Sequence, residues 1–445
     1  KYLAQWMVHG QTEINVRDMD PRRYGQWASG DYAIAKSIDE YQQMYQPYLP
    51  GENREVGRPT RATALYDELK KKGAIYGDLF GWERPKYFSP SGLKEIYGFR
   101  RTNVFDIVGD ECRAVRKSVG IADLSSFAKY EVRGRDAREF LERVCANRLP
   151  RRDGDIVLSQ MLTTLGGIEC EATVTRLAED RYYLLSGAVA ELHDLDWLVQ
   201  HVVAGEDVAI TNVTDDYGVL LVTGPKSRDV LAGLTKVDLT NEGGFTWMCA
   251  RAIDVAGIRV RALRVSYVGE LGWELHCSMD ELRPLYDVLI ASGESYSMRH
   301  FGTYALNSLR MEKGYKVWGT ELTTEISLVE AGMLRFARLS GGYVGSEAVE
   351  QKKKVGASLH LVYCEVEANV DPIGNEPIYD GVTIIGVTTS GAYGHCVEKC
   401  LTFAYVDSGF ESPGTSIEIS ILGERRKAIV LGMAAWDPSN KRLQS

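Results

Sequence analysis

The sequence predicts a multi-domain α+β protein that ends in a small all-β barrel. Three observations lead there. The chain has 445 residues, more than one hydrophobic core accommodates, so about two to three domains are expected. Between residues 103 and 314, apolar runs of period 2 alternate with stripes of period 3.6, the mark of mixed strands and helices. From residue 358 onward the apolar runs are short and separated by turn chemistry, at Asp371-Pro372-Ile373-Gly374, Asp380-Gly381 and Ser412-Pro413-Gly414.

The elements follow in order. Residues 1–50 are polar and aromatic, with a helix predicted over 27–45 and stopped by Pro47, Pro50 and Gly51. A second helix is expected over 60–72, with its lysines at the C-terminal end where the helix dipole favours them. Residues 77–88 are aromatic, hold Gly and Pro, and show no period, so packing has to pin them. Helices are predicted over 104–119, 136–146 (Phe140, Leu141 and Val144 on one stripe) and 190–202, with strands at 129–132, 167–175 and 181–185. A similar series recurs: strand 218–223, helix 225–234, a hairpin of strands 258–267 and 273–277, and helix 281–292. That recurrence suggests two related α+β units, although no residue-level repeat is visible. A last helix, 301–314, carries Leu306, Leu309, Arg310 and Glu312. The lysine run at 352–354 marks a boundary. The expected division is 1–98, 99–350 and 351–445.

Composition narrows the function classes. A net charge of −9 leaves no basic surplus for a nucleic-acid backbone. No apolar run reaches membrane-spanning length, and the opening residues hold too short an apolar run for a secretory signal. Eight scattered cysteines read as free thiols of a reducing compartment. Cys396 and Cys400 have no second Cys/His pair nearby, and no H-E-x-x-H occurs, so no metal site is expected. Neither G-x-G-x-x-G nor G-K-[ST] is present, so no dinucleotide or P-loop fold is expected in these residues.

Two stretches could carry chemistry. The first is 266–276, S-Y-V-G-E-L-G-W-E-L-H, where Gly269 and Gly272 permit a reversal. Period 2 then puts Glu274 and His276 on one face of the return strand, with Trp273 and Leu275 on the other. A carboxylate on a rigid strand beside a glycine turn and two aromatics suits a flat heterocycle rich in N–H donors. A merely solvated hairpin face is the plainer alternative. The second stretch is 161–176, M-L-T-T-L-G-G-I-E-C-E-A-T-V-T-R. Alternation there puts Glu169, Glu171, Thr173 and Thr175 on one face and Ile168, Cys170, Ala172 and Val174 on the other, and a simple wet face is again the plain alternative.

The run Y-V-G-E-L-G-W-E-L at Tyr267 resembles a signature of the glycine-cleavage T-protein (aminomethyltransferase) family. Ordered runs along the chain resemble the C-terminal half of dimethylglycine and sarcosine dehydrogenases. They are W-M-V-H-G at Trp6, D-P-R-R-Y-G at Asp20, G-R-P-T at Gly57, F-R-R-T-N at Phe99, A-D-L-S at Ala122 and M-L-T at Met161. E-L-H-D-L at Glu191, F-G-T-Y-A at Phe301, E-A-G at Glu330 and T-T-S-G at Thr388 complete the set. The resemblance implies a T-protein-like fold with a C-terminal barrel, preceded by the tail of a flavin-oxidoreductase half. It implies tetrahydrofolate as the cofactor, with FAD only in an absent N-terminal half or a partner subunit.

By the same resemblance Glu171 would be catalytic, where glycine-cleavage enzymes have Asp. Glu274 would hold the pterin. Leu275, His276 and Tyr267 would line the pocket with Ala172 and Thr173, and Leu158 and Tyr183 would be further pocket positions. Arg335 stands where the mitochondrial dehydrogenases have a folate-contacting Tyr, and could pair with the glutamyl tail or be a surface change. Leu306 stands where T-proteins have an Arg. Arg310 and Glu312 are expected in buried helix–strand ion pairs. The implied activity is capture of a one-carbon unit from an oxidised N-methylamine as 5,10-methylenetetrahydrofolate. A stand-alone tetrahydrofolate-dependent methyltransferase and a non-catalytic docking module are the alternatives. The expected partner is a flavin-oxidoreductase domain or subunit, with no nucleic acid or membrane, in a bacterial cytoplasm or a mitochondrial matrix.

Overall fold

The computed structural model describes every residue except Gln11, and the side chains of Asp18 and Arg22 stand outside the description. Its N-terminal part holds helices Tyr2–His9 and Gly30–Gln42. In the second of these Ser29 Oγ caps the first turn by accepting from Tyr32 N. The helix expected over 60–72 shrinks to Tyr66–Lys71. The reason is a backbone bridge: Arg61 N donates to Gly81 O and Glu83 N donates to Arg61 O, each at 2.8 Å, which holds residue 61 extended. Those acceptors and donors belong to a hairpin, Ala74–Leu79 and Trp82–Phe88, that periodicity did not reveal. Its two-residue turn is Phe80-Gly81, both at positive φ, the conformation that keeps paired strands in twist.

Two sheets form the centre. The first has five strands in the order Ile156–Leu162, Ile168–Ala178, Arg181–Ser186, Ala128–Arg133, Ala209–Asn212. Helices Ala137–Val144 and Glu191–Gln200 cover one face through Phe140, Leu141, Val144 and Leu198, packed on Cys170, Ala172, Val174 and Leu184. The second has six strands in the order Ala250–Val255, Ile258–Leu263, Gly272–Ser278, Tyr217–Thr223, Gly120–Asp123, Arg299–His300. Trp273, Leu275 and Cys277 point from it into a core closed by helices Ser227–Ala232 and Leu282–Gly293. The opposite faces of the sheets meet where Ile156, Tyr183 and Leu185 of the first pack on Ala250, Leu263 and Val265 of the second.

The structure gives the recurrence suggested by the sequence a residue-level counterpart. Strand Ala128–Arg133 runs through Gly134 into its helix, and strand Tyr217–Thr223 runs through Gly224 into Ser227–Ala232. Both glycines sit at positive φ, and a Cβ at either would collide with a carbonyl oxygen, of Asp207 or of Ser118. The following residues align as G-x-x-Ala-Arg-Glu-Phe-Leu and G-x-x-Ser-Arg-Asp-Val-Leu.

The C-terminal residues close a six-stranded barrel, as expected, in the order Leu359–Val366, Lys399–Asp407, Thr383–Gly394, Pro377–Asp380, Ser416–Ile421, Glu424–Val430. It docks through Glu321, whose Oε1 accepts from Thr389 Oγ1 at 2.7 Å and Ser390 Oγ at 2.6 Å. The lysines at 352–354 lie in the last turn of helix Ser346–Val355. All eight cysteines are free. No helix of the described residues is long and apolar enough to cross a membrane.

The expected helix–strand ion pairs take another form. Glu312, on helix Thr303–Glu312, binds Arg116 of helix Phe105–Lys117 at 2.8 Å, and Arg116 also reaches Glu270 at 3.2 Å. Arg310 lies 3.6 Å from Glu321 in the loop after its own helix.

Candidate functional site between two sheets

The inner face of the first sheet is set by cross-strand pairs. Leu158 stands opposite Thr173, Gln160 opposite Glu171, and Thr175 opposite Tyr183. Directly opposed residues share a face, so Leu158, Gln160, Glu171, Thr173 and Tyr183 all look toward the second sheet. On the second sheet Glu274 is flanked by Leu263 and Leu221, and His276 by Arg261 and Val219. The two faces are joined by Tyr183 Oη and His276 Nδ1 at 3.1 Å. Arg261 stacks over Tyr183, with its guanidinium carbon 4.2 Å from the ring centre.

Leu158, Glu171, Thr173, Tyr267 and Glu274 stay half-buried among fully buried neighbours, which marks a recess between the sheets. Ala172 and Leu275 do not join it. Alternation turns their side chains to the outer faces, Ala172 under the helices and Leu275 beside Trp273, so only their backbones adjoin the recess. Gly269 makes the reversal at positive φ, whereas Gly272 lies inside the strand, where a Cβ would meet Thr223 Oγ1.

Glu169 also departs from the alternation. The pairing of strands Ile156–Leu162 and Ile168–Ala178 shifts by one residue there, leaving Glu169 as an unpaired bulge. Its carboxylate turns to the helix side and binds His193 Nε2 at 2.8 Å, while Asp194 Oδ1 lies 2.9 Å from His193 Nδ1. Burial works against a charge on that ring, but the two carboxylates outweigh it and push the pKa up to about 10. Cys170 lies close enough to make a potential metal triad with His193 and Asp194, but both ring nitrogens already face carboxylates. A trapped imidazolium accounts for the group. This ion cluster joins residues far apart in sequence, so spacing gave no signal for it.

A cavity of about 200 Å³ opens beside His193, walled by Arg17, Glu169, Trp197 and Trp318. None of the pocket residues implied by the resemblance lines it, although Glu169, on the same strand as Glu171, does. The recess is the better candidate for chemistry, because its carboxylates stay half-buried without a cation in hydrogen-bond contact among the described residues, while Glu169 is already matched to His193.

The electrostatics of the recess centre on Glu171. Burial raises its pKa to about 7, Gln160 donation and Lys316 pull it down, and Glu321 pushes it up. Burial, followed by Arg335, lowers the Lys316 amine. Tyr267 donates to Lys316 O at 2.9 Å and stacks on Tyr315 with ring centres 5.9 Å apart. Its phenol is raised by burial, with the charges of Glu171 and Glu321 adding to the effect. Arg335 is exposed, resting over Phe336. Burial lowers the His276 pKa against the opposing pull of Glu274, whose Oε2 lies 3.4 Å from Nε2 without hydrogen-bond geometry. Leu306 packs against the cluster around Leu309 and Phe301. The arrangement is a polar slot with two carboxylates on opposite walls, an amide beside one of them, and stacked tyrosines at the rim. It can accept several N–H donors and one proton near neutrality.

Comparison with known proteins agrees with this architecture. The N-terminal domain of GCVT matches residues 65–341, the glycine cleavage T-protein C-terminal barrel domain matches 360–437, and an FAD dependent oxidoreductase central domain matches 9–63. The mitochondrial dimethylglycine dehydrogenase of Mus musculus is 37% identical over 453 residues, covering 100% of this chain and 52% of the relative. The chain thus spans about half the length of that relative. An aminomethyltransferase of Bacillus velezensis is 31% identical over 376 residues, covering 83% of this chain and 96% of that protein. The crystal structure of aminomethyltransferase T from Bartonella henselae superposes with a TM-score of 0.74 at 23% identity, covering 85% of this chain and 98% of that one. This chain belongs to the glycine cleavage T-protein family.

Proposed function

We propose that the chain is the folate half of a dimethylglycine/sarcosine dehydrogenase-like enzyme, and that it forms 5,10-methylenetetrahydrofolate from the one-carbon unit of an oxidised N-methylamine. The observation that carries this reading is Glu171, a carboxylate poised near neutrality on one wall of a recess whose other wall presents Glu274. The two half-buried carboxylates, Glu171 and Glu274, are acceptors, and this acceptor set suits a pterin rich in N–H groups. Tetrahydrofolate, when bound, supplies the amine nitrogens that accept the one-carbon unit.

The chain's own residues do the rest. Glu274 accepts from the ring N–H groups and fixes its orientation. Tyr267 and Tyr315 cover the ring at the rim. Glu171 stabilises the cationic electrophile and takes the proton released at the attacking nitrogen, a task suited to a base near pH 7. Lys316 and the exposed Arg335 give that end a positive potential for a glutamyl tail. Ala172 and Leu275 support the walls from behind, and His276 ties the two walls together through Tyr183.

The flavin belongs to a partner domain or subunit in this reading. Residues 9–63 match an oxidoreductase central domain, and the chain spans 52% of the dehydrogenase relative. A bacterial cytoplasm or a mitochondrial matrix is the proposed compartment. Calorimetric titration with tetrahydrofolate, wild type beside Glu274→Gln, tests the reading. Binding by the wild type that weakens tenfold or more in the variant supports it. No binding by the wild type removes it.

A further inference from the structure

The hydrogen bond that holds Glu171 comes from a residue no family motif singled out. Gln160 is fully buried and stands directly opposite Glu171 across the strand pair. Its Nε2 donates to Glu171 Oε2 at 2.6 Å, while its own Oε1 is buried with no partner among the described residues. An ionised carboxylate takes only donors, so the amide nitrogen has to face it and the oxygen has to be left over. A buried acceptor without a donor costs stability. Leu158, the neighbour of Gln160 on the same face of the strand, is apolar.

We propose that Gln160 is a positioning residue that keeps Glu171 in one orientation through both of its protonation states. With Glu171 ionised, the amide donates through Nε2. When Glu171 carries the proton, a turn of the amide about its last torsion lets Oε1 accept the new O–H, and Nε2 takes the place of the oxygen left without a partner. The carboxyl group then remains in place while it gains a proton and gives it back. In this step the N–H bond of the attacking nitrogen breaks and an O–H bond forms on Glu171; that O–H bond later breaks as the proton leaves for solvent, and nothing is oxidised or reduced.

The inference rests on the folate reading for its use, but not for its physics. Gln160 favours the ionised form of Glu171, as Lys316 does, while burial and the Glu321 charge oppose it; Tyr267 completes the titratable surroundings. Removing the donor therefore raises the Glu171 pKa, by about one pH unit.

The test is infrared pH titration of the whole chain, following the protonated carboxyl band that Glu171→Gln abolishes. Gln160→Met, close in shape but without a donor, is expected to move the midpoint up by about one unit. Gln160→His, which can still donate, is expected to stay within a few tenths of a unit of wild type. Thermal melts accompany both, since a merely structural role would lower the melting temperature and leave the midpoint alone. An unmoved midpoint in folded Gln160→Met overturns the proposal. If Gln160→Met does not fold, Gln160→His decides through the same band, and a midpoint shift of a full unit there counts against the proposal. If the midpoint moves but the pH profile of tetrahydrofolate-dependent transfer does not, Gln160 stands as the partner of Glu171 and the assigned role of Glu171 falls.

Discussion

Glu312 and Glu171 are both enclosed carboxylates, and they are treated in opposite ways. Glu312 is clamped by Arg116 at 2.8 Å and also accepts from Cys396 N at 2.7 Å, with Glu270, Trp436 and Arg442 extending the network. Among the described residues Glu171 has one amide for a hydrogen-bond partner and no ion pair, and it stays half-buried. Protein interiors saturate a buried charge when its job is structural, since an unmatched one costs several kcal/mol. A carboxylate left short of partners at a recess keeps its capacity for another molecule. The contrast separates scaffold from site in this fold without reference to any relative.

Breaking the saturated side has the largest expected effect. Arg116→Met strands Glu312 without its cation, and destabilisation of about 3–5 kcal/mol is expected in chemical denaturation. Tetrahydrofolate affinity of the molecules that stay folded should be unchanged. Next, Glu171→Gln should lower one-carbon transfer about 100-fold, roughly 2.7 kcal/mol in the barrier, with little effect on folate affinity.

The same variant sharpens the stability contrast. The folded pKa of Glu171 lies above the ordinary value of 4.5, at about 7, so across that window the folded state holds the proton more tightly than the unfolded one. Stability therefore falls as pH rises from about 4.5 to 7, and the penalty is full above 7, about 1–3 kcal/mol after allowing for partial solvent access. Glu171→Gln should flatten that limb and be the more stable protein at pH 8. Denaturation midpoints at pH 5 and pH 8 check this.

Glu274→Gln comes third, with a tenfold or greater loss of folate affinity, about 1.4 kcal/mol. Arg335→Ala is the mildest. An exposed charge at the rim should change affinity about two- to threefold, and the difference should vanish in high salt.

The reach of the sequence follows from what each element depends on. Period 2 placed Glu274 and His276 opposite Trp273 and Leu275, because a strand covered on one face has a local pattern. The hairpin at 74–88 was invisible because residues outside the segment hold it, Arg61 bridging to Gly81 and Glu83 and Trp27 lying against Gly81. The 60–72 helix was overextended for the same reason. The repeat around Gly134 and Gly224 was present in the letters, but its key is a collision at each glycine that appears only in three dimensions. Glu169 was misassigned because one extra residue resets the alternation. Gln160 escaped notice because a lone Gln in an apolar strand carries no motif, and its meaning is its partner across the sheet.

That extra residue also bears on how this fold tolerates change. The turn at 163–167 joins the two strands just ahead of Glu169, so an insertion or deletion there would ordinarily slide the pairing and rotate Glu171 out of the recess. A bulge located between the turn and the carboxylate acts as slack. It takes up a change of one residue locally, at the cost of the Glu169–His193 contact, and leaves the Gln160–Glu171 pair in register. Drift in the length of the loop is thereby uncoupled from the position of the carboxylate, and lineages can remodel the turn without first losing the site.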